Sequence, residues 1–258
     1  MKEFNYAEFI SCVPIEKGET IDVVSDLLSI GMYCKRRKIK FDPNELIDCF
    51  CDAVGPEGNV LIRTFSHDFC NKKKWSYKET RSGVGALGNV ALKRSDFVRT
   101  RHPIFSWMVY GRDRDYLCGL DNQDSFSFDS VFGWEYNIGA NLITIGSPMS
   151  EGFTFIHYVE QKVGVPYRHK ENFSGEYIDE DGNSERRTYS MYTRNNEKYE
   201  IGKFDFDKIF PVLRLKGIQS YGSYHGIELK KTNLTETANL LEEDIINNGE
   251  FMPTYKVR

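Results

Sequence analysis

Cysteine is sparse in this chain, with six in 258 residues. Cys12, Cys34, Cys49, Cys51, Cys70 and Cys118 show no paired CxxC spacing, which argues against a disulfide scaffold and a cysteine zinc site. Reduced thiols in a reducing compartment are expected, and Cys49-Phe50-Cys51 places its cysteines on different helix faces, as core packing would. Long apolar runs are also missing: nothing approaches the roughly 18 residues that a membrane-spanning helix needs. The start Met1-Lys2-Glu3-Phe4 lacks the basic and apolar segments of a signal peptide, so the expectation is a soluble cytoplasmic protein. Nor does one sign of charge dominate. Thirty-eight acidic and 34 basic residues leave a net charge of −4, so no global positive field exists to hold nucleic acid or an anionic membrane, and neither is expected as a partner. Repeats, low-complexity tracts and proline-rich linkers are lacking too, which predicts one domain over residues 1–258. No GxSxG, HExxH or Walker motif occurs, which leaves nucleophile-elbow hydrolases, zincins and P-loop proteins without support and no metal expected.

What the chain does have is enough apolar sequence for a sizeable core and an excess of aromatics, with 15 Tyr and 18 Phe, many of them in the middle third. Ile21 to Ser25 reads as an early strand, broken at Ser29-Ile30-Gly31. Asp42-Pro43-Asn44-Glu45 opens a helix through about Val54, with Asp42 as cap and Leu46, Ile47, Phe50 and Val54 on one face. After the turn at Gly55-Pro56-Glu57-Gly58, Asn59 to Phe65 reads as a buried strand, completing a β-loop-α-β unit. Asn141 to Gly146 is a second buried-strand candidate, running through Ser147-Pro148 toward a helix from Thr154 to Lys162. Glu176 to Ile178 and Thr188 to Thr193 flank Asp181-Gly182 as a hairpin, and Phe204 to Leu215 and Thr235 to Asn247 look helical. These elements predict an α/β fold around a mixed sheet.

The strongest chemical constellation is Thr154-Phe155-Ile156-His157-Tyr158-Val159-Glu160, in which a helix sets His157 beside Glu160, with Thr154 one turn earlier. A carboxylate beside an imidazole fixes its tautomer and raises its basicity, and a nearby hydroxyl can donate to a developing oxyanion. An ordinary amphipathic helix with a partly buried His fits the same spacing. Arg99-Thr100-Arg101-His102-Pro103-Ile104-Phe105-Ser106 could bind phosphate or form a solvated basic turn, and Lys35-Arg36-Arg37-Lys38 reads chiefly as a solvated face with the same alternative role. Gly83-Val84-Gly85-Ala86-Leu87-Gly88 matches GxGxxG but follows a polar stretch instead of a strand, which excludes the Rossmann reading and leaves a turn or helix start. Phe126 to Trp134 alternates aromatic and small polar residues, as a core strand or a pocket wall would. His67, His169 and His225 have no evident partner in sequence and read as structural.

Taken in order along the chain, these segments resemble the aminoglycoside 3-N-acetyltransferase family of coenzyme A-dependent antibiotic acetyltransferases. Val24-Ser25-Asp26-Leu27-Leu28-Ser29-Ile30-Gly31 resembles the family's early strand-loop, with Val24 where a His is usual. Arg81 to Gly88, then Arg99 to Ser106 and Gly111, resemble its "tGal…RS.HP..S…G" block; Phe126 to Gly133 occupies its "SP" region, and Thr154, His157 and Glu160 match its "T..H..E" helix. The resemblance implies a three-layer α/β/α sandwich with a mixed central sheet and an added β-hairpin. It also implies transfer of an acyl group, acetyl as a rule in this family, from a coenzyme A thioester to a primary amine on a sugar-like acceptor. His157 would be the general base, Glu160 its orienting partner, and Thr154 a donor to the thioester oxygen or the acceptor. Ser25, Asp26, Leu28 and Ser29 would line the pantetheine arm, with Arg99, Arg101, His102 and Ser106 nearby.

A polycationic aminoglycoside calls for carboxylates around it, and the acidic hairpin with Glu176 and Asp179 could supply them. The aromatic wall carrying Asp129 and Trp134, the missing early His and the basic cluster equally suit a nucleotide-linked aminosugar. Both acceptors stay open, as does oligomeric state, a homodimer included. A non-catalytic sugar- or nucleotide-binding protein on the same fold is the rival from another class, and a hydrolase using His157 is a third.

Overall fold

The computed structural model describes residues 4–146, 152–202, 204, 206–247, 249 and 251–258. The first half of the chain forms α1 (Tyr6–Ile10), β1 (Thr20–Ser25), α2 (Leu28–Arg37), α3 (Pro43–Val54), β2 (Asn59–Arg63), α4 (Asp68–Lys72), β3 (Lys74–Ser76), α5 (Ala86–Ala91), β4 (Val98–Arg99), β5 (Trp107–Gly111) and α6 (Arg114–Gly119). There follow α7 (Val131–Ile138), β6 (Asn141–Ile145), α8 (Ile156–Val163), β7 (Arg168–Ile178), β8 (Ser184–Arg194) and β9 (Tyr199–Ile201). The chain closes with α9 (Phe206–Leu215), β10 (Gln219–Tyr224), β11 (Ile227–Asn233), α10 (Leu234–Ile246) and β12 (Tyr255–Val257).

Among the described residues the main sheet has the order β10-β11-β6-β1-β2-β5-β4. Its centre is parallel, β1 pairing with β2 and with β6, while β5 and β11 join antiparallel on either side. β2 and β6 are buried along their whole length, which is why Asn59-Val60-Leu61-Ile62-Arg63 and Asn141-Leu142-Ile143-Thr144-Ile145 read as nearly continuous apolar runs. Alternation sends Leu61, Leu142, Trp107 and Val109 into one core and Val60, Ile62, Ile143 and Met108 into another on the opposite face. Helices α1, α2, α3 and α5 cover the second face, and α7, α8, α9 and α10 the first, giving the expected three layers. α3 begins as its sequence signals: Pro43 sits in the first turn and the Asp42 carboxylate accepts from the Asn44 amide at 2.9 Å.

Several elements differ from the sequence reading. Ser29-Ile30-Gly31 is no break but the first turns of α2, which starts immediately after the Asp26 carboxylate accepts the Leu28 amide at 2.9 Å. Only Ile30 and Cys34 of α2 are buried, too few apolar positions to show a helical period. Lys35, Arg36 and Arg37 fill its last turn, where cations complement the helix dipole. Phe126 to Trp134 is a loop running into α7 rather than a strand, and the Ser130 hydroxyl caps α7 by accepting the Gly133 amide at 3.2 Å. The hairpin is longer than its turn signature suggests: β7 and β8 have 11 residues each and join β3 in a second sheet. Ser147-Pro148, between β6 and the segment leading to α8, and Asp205 ahead of α9 lie outside the described residues.

A buried ion pair crosses the parallel centre. Arg63, at the end of β2, donates from Nε and Nη2 to Oδ2 of Asp22 on β1 at 2.7 and 2.5 Å, and the two side chains are 5% and 0% exposed. Trp107 Nε1 donates to the other Asp22 oxygen at 3.2 Å, and Arg63 Nη1 donates to the Gly152 carbonyl. Glu135 of α7 is fully buried beside this pair, and its carboxylate oxygens accept no hydrogen bond. Burial, then the Asp22 charge, pushes the Glu135 carboxyl well above the ordinary range despite the opposing pull of Arg63, so it is held protonated. A raised folded-state pKa means that folding takes up a proton, and stability falls as pH rises from the unfolded value toward the folded one. Glu135→Gln keeps the shape and neutrality and should abolish this slope. Urea midpoints should therefore show the variant gaining stability relative to the parent from pH 5 to pH 8; a variant-minus-parent difference that is the same at both pH values would contradict a protonated Glu135.

Candidate functional site

The parallel strands end together on one side of the sheet, where α/β proteins gather ligands. A cavity of about 330 Å³ opens there, lined by Val24, Ser25 and Asp26 at the end of β1, Ile62, Arg63 and Phe65 at the end of β2, Val84, Gly85, Leu87 and Gly88 around the start of α5, and Gly152 and Thr154. The glycines of the GxGxxG match serve close packing. Gly85 has φ +70 and would carry a Cβ 3.1 Å from the Ser25 carbonyl, while a Cβ on Gly88 would strike the Arg63 carbonyl at 2.3 Å.

Thr154 also lines a second cavity, of about 390 Å³, together with Phe153, His157, Glu160, Arg168 and Arg194. The helix α8 begins two residues after Thr154, whose carbonyl accepts the His157 amide at 3.0 Å, so Thr154 sits in the turn ahead of the helix. Ile156, Tyr158 and Val159 anchor α8 in the core and leave His157 at the cavity wall with its side chain 30% exposed. His157 Nδ1 lies 2.8 Å from Glu160 Oε2, and the Phe126 ring meets the imidazole edge-on at 5.6 Å.

Glu160 is 2% exposed and held from three sides: by His157, by the Tyr167 hydroxyl donating to Oε1 at 3.0 Å, and by Arg168 Nε at 2.6 Å from Oε2. Its burial alone would raise its pKa, but the His157 hydrogen bond and the charges of His157 and Arg168 outweigh that and hold it below the ordinary range. His157 is shifted down, first by burial and then by the charges of Arg168 and Arg194, against the opposing hydrogen bond to Glu160. With Nδ1–H directed at a carboxylate, Nε2 carries the free lone pair of a neutral imidazole. The arrangement can accept a proton from a group seated in the second cavity.

The other sequence candidates fall in different places. Ser25 and Asp26 line the first cavity; Leu28 is 64% exposed at the start of α2, and Ser29 packs where a Cβ on Gly146 would meet its hydroxyl. Lys35 to Lys38 lie at the far end of α2, seven to ten residues or about 10–15 Å along the helix from its start. Arg99 is 2% exposed, and its guanidinium donates to the carbonyls of Tyr77, Thr80 and Thr64 and to the Ser106 hydroxyl. The Ser106 hydroxyl meets the Thr64 hydroxyl at 2.8 Å, and Arg101 pairs with Glu180. His102 is buried, with Nδ1 accepting the Ile104 and Phe105 amides at 3.3 and 3.1 Å. This block ties the edge of the sheet to the loop after β2, and none of its four candidates lines either cavity. Asp129 is exposed ahead of α7, and Trp134 packs partly buried against the core. Glu176 pairs with Lys74 at 3.1 Å, and Asp179 accepts the amides of Asp181 and Asn183 in the hairpin turn. Glu176 stands eight residues along β7 from Arg168, about 26 Å at the rise of a strand, so the acidic tip is remote from His157.

Spacing does not single out Tyr167, Arg168 or Arg194, because only the hairpin register brings its base to α8: Arg168 pairs with Arg194 across β7 and β8. Among the described residues, no group of three or more His, Cys, Asp or Glu is placed to hold a metal ion. No described helix is long and apolar enough to cross a membrane.

Solved structures share this architecture. The YokD protein from Bacillus subtilis superposes with a TM-score of 0.74 at 20% identity, covering 94% of this chain and 98% of its own. AAC-IIIb in a binary complex with CoASH gives 0.77 at 13% identity, covering 95% and 96%. Sisomicin-bound AAC-VIa gives 0.76 at 16% identity, covering 95% and 97%. At such identities the likeness is one of fold. Compared with curated protein sequences, the chain matches none. The class of protein is that of acyltransferases that move an acetyl group from acetyl coenzyme A to an amine. The chain belongs to the aminoglycoside 3-N-acetyltransferase family, whose sequence model matches residues 23–244.

The buried His102 supplies a stability test. Burial lowers its pKa from 6.5 to about 3, so below pH 6.5 the unfolded chain binds a proton that the folded chain refuses. Stability therefore rises with pH between about 3 and 6.5 and is lost on acidification; from pH 6.5 to 4.5 the loss amounts to about 2 kcal/mol. His102→Asn, which keeps an acceptor for the two amides, should be less stable at pH 7 yet show a shallower acid slope in chemical denaturation. A slope as steep as the parent's would place the titration elsewhere.

Proposed function

We propose that the protein acetylates a primary amine of an aminosugar, an aminoglycoside or a nucleotide-linked aminosugar, with His157 as the general base. The observation that carries this reading is the shared wall: Thr154 lines both the cavity at the strand ends and the cavity holding the His157–Glu160 pair. The first cavity suits the donor's arm. Val24, Ile62, Phe65, Val84 and Leu87 offer apolar walls for methylenes, and Ser25, Asp26 and Thr154 offer polar groups for the amides of a pantetheine chain. Acetyl coenzyme A, when bound, supplies a thioester whose carbonyl an amine can attack with loss of the thiol. Ser25 and Asp26 hold the arm, with Leu28 at its rim; Arg99, Arg101, His102 and Ser106 act at one remove, by holding the loops after β2 and β3.

In the second cavity His157 Nε2 takes the proton that the amine sheds as it attacks. Glu160 keeps Nδ1 protonated and the ring oriented, and its charge offsets the imidazolium that forms. Thr154, between the two cavities, donates its hydroxyl toward the carbonyl oxygen. Because Glu160 is itself fixed by Tyr167 and Arg168, the base is positioned before any substrate arrives.

Thiol release from acetyl coenzyme A, followed against a panel of aminoglycosides and nucleotide-linked aminosugars, tests the reading. His157→Ala should lower kcat/KM by about 10²- to 10⁴-fold on the best acceptor. The base is active when neutral, so kcat/KM should rise with pH along an acidic limb centred below the ordinary histidine value of 6.5, in keeping with the downward shift of His157. Full turnover by His157→Ala would remove it as the base, and aminosugar binding without coenzyme A affinity would indicate a binding protein instead.

A further inference from the structure

Arg194 ends β8 directly opposite Arg168, the first residue of β7, and both line the cavity that holds His157. Like charges placed opposite each other in an antiparallel pair repel unless each is answered. Arg168 is answered: its side chain is 7% exposed, Nε lies 2.6 Å from Glu160 Oε2, and Nη1 donates to the Tyr192 carbonyl at 3.0 Å. Arg194 is exposed, and among the described residues no carboxylate or carbonyl meets its guanidinium. Of the described charged side chains in the cavity wall, Glu160 contributes −1 and Arg168 and Arg194 +2, a sum of +1 with His157 neutral. That surface opposes a polycation and favours a ligand that brings a negative group.

We propose that Arg194 recognises an anionic group on the acceptor, so that the substrate is an aminosugar bearing a phosphate or a carboxylate, seated with that group on Arg194 and its amine at His157. This rests on the acetyl-transfer reading above and names its substrate class. A guanidinium presents a planar fork that matches either oxyanion in bidentate fashion, which a lysine would not. The pairing also bears on the base. The Arg194 charge helps to keep His157 deprotonated but weakly basic, and an anion that neutralises Arg194 strengthens the base as the acceptor seats.

The experiment compares glucosamine, glucosamine 6-phosphate, a 2-amino-2-deoxyuronic acid and sisomicin as acceptors for the parent and for Arg194→Gln. The parent should show a KM at least about tenfold lower for the phosphorylated or carboxylated sugar than for glucosamine. In Arg194→Gln that ratio should collapse toward one, and the acidic limb of kcat/KM should move up toward the ordinary histidine value, a shift that a purely structural arginine would not produce. The two acidic sugars distinguish phosphate from carboxylate as the group recognised. A lower KM for sisomicin than for either acidic sugar, or an unchanged ratio in the variant, overturns the proposal while leaving acetyl transfer intact. If no amine releases thiol, the acetyl-transfer reading fails, and calorimetry of glucosamine 6-phosphate and glucosamine with both proteins still decides the role of Arg194. A preference for the phosphate that the variant loses upholds anion recognition, and equal binding refutes it.

Discussion

The pairing of Asp22 with Arg63 at the centre of the sheet sets the conditions for everything above it. Two charges removed from water cost several kcal/mol each unless their remaining hydrogen-bonding capacity is met. Here Trp107 takes the second Asp22 oxygen and the Gly152 carbonyl takes the remaining Arg63 donor. The same contacts tie β1, β2 and β5 together and hold the segment that leads to Thr154 against the strand ends. Glu135 can lie beside them because, protonated, it adds no further charge. The cavity at the end of the parallel strands thus has a rigid floor that is electrostatically closed.

Glu160 does for the second cavity what the Asp22–Arg63 pair does for the first. A carboxylate at 2% exposure is held by an imidazole, a phenol and a guanidinium that come from α8, the segment before β7, and the start of β7. The hairpin therefore does more than decorate the fold: its base supplies two of the three groups that keep the carboxylate ionised. The downward shifts of both His157 and Glu160 describe one arrangement, an imidazole that favours its neutral form with a fixed anion behind it.

Membership of the aminoglycoside 3-N-acetyltransferase family and the likeness to AAC structures concern the frame, in which the strand ends and the glycine-rich turn make a narrow cavity. The second cavity is built by the start of α8, the hairpin base and the segment around α9. Its wall carries the exposed Arg194 beside the buried, paired Arg168. A fold can keep its frame while the ligand it serves changes with a few side chains at the rim of a cavity.

Local chemistry made much of this legible in the residues themselves. The Asp42-Pro43 helix start, the buried runs of β2 and β6, the hairpin turn and the His157–Glu160 spacing each rest on interactions within a few residues, which sequence displays directly. The β-loop-α-β order likewise pointed to a layered fold. Less visible were α2, whose single buried face holds only Ile30 and Cys34, and the length of the hairpin, which depends on pairing 11 residues against 11. The basic and imidazole residues from Arg99 to Ser106 look the same in sequence whether they bind phosphate or bond to carbonyls. Only burial of Arg99 and His102 shows that their hydrogen bonds stay inside the protein. The sequence alone determined the buried runs of β2 and β6, the start of α3 and the side-by-side placement of His157 and Glu160, because these follow from local spacing. Tertiary structure alone decided which charges are answered and which remain free, because Arg168 and Arg194 acquire opposite roles only when a strand register brings one of them, and not the other, to a buried carboxylate.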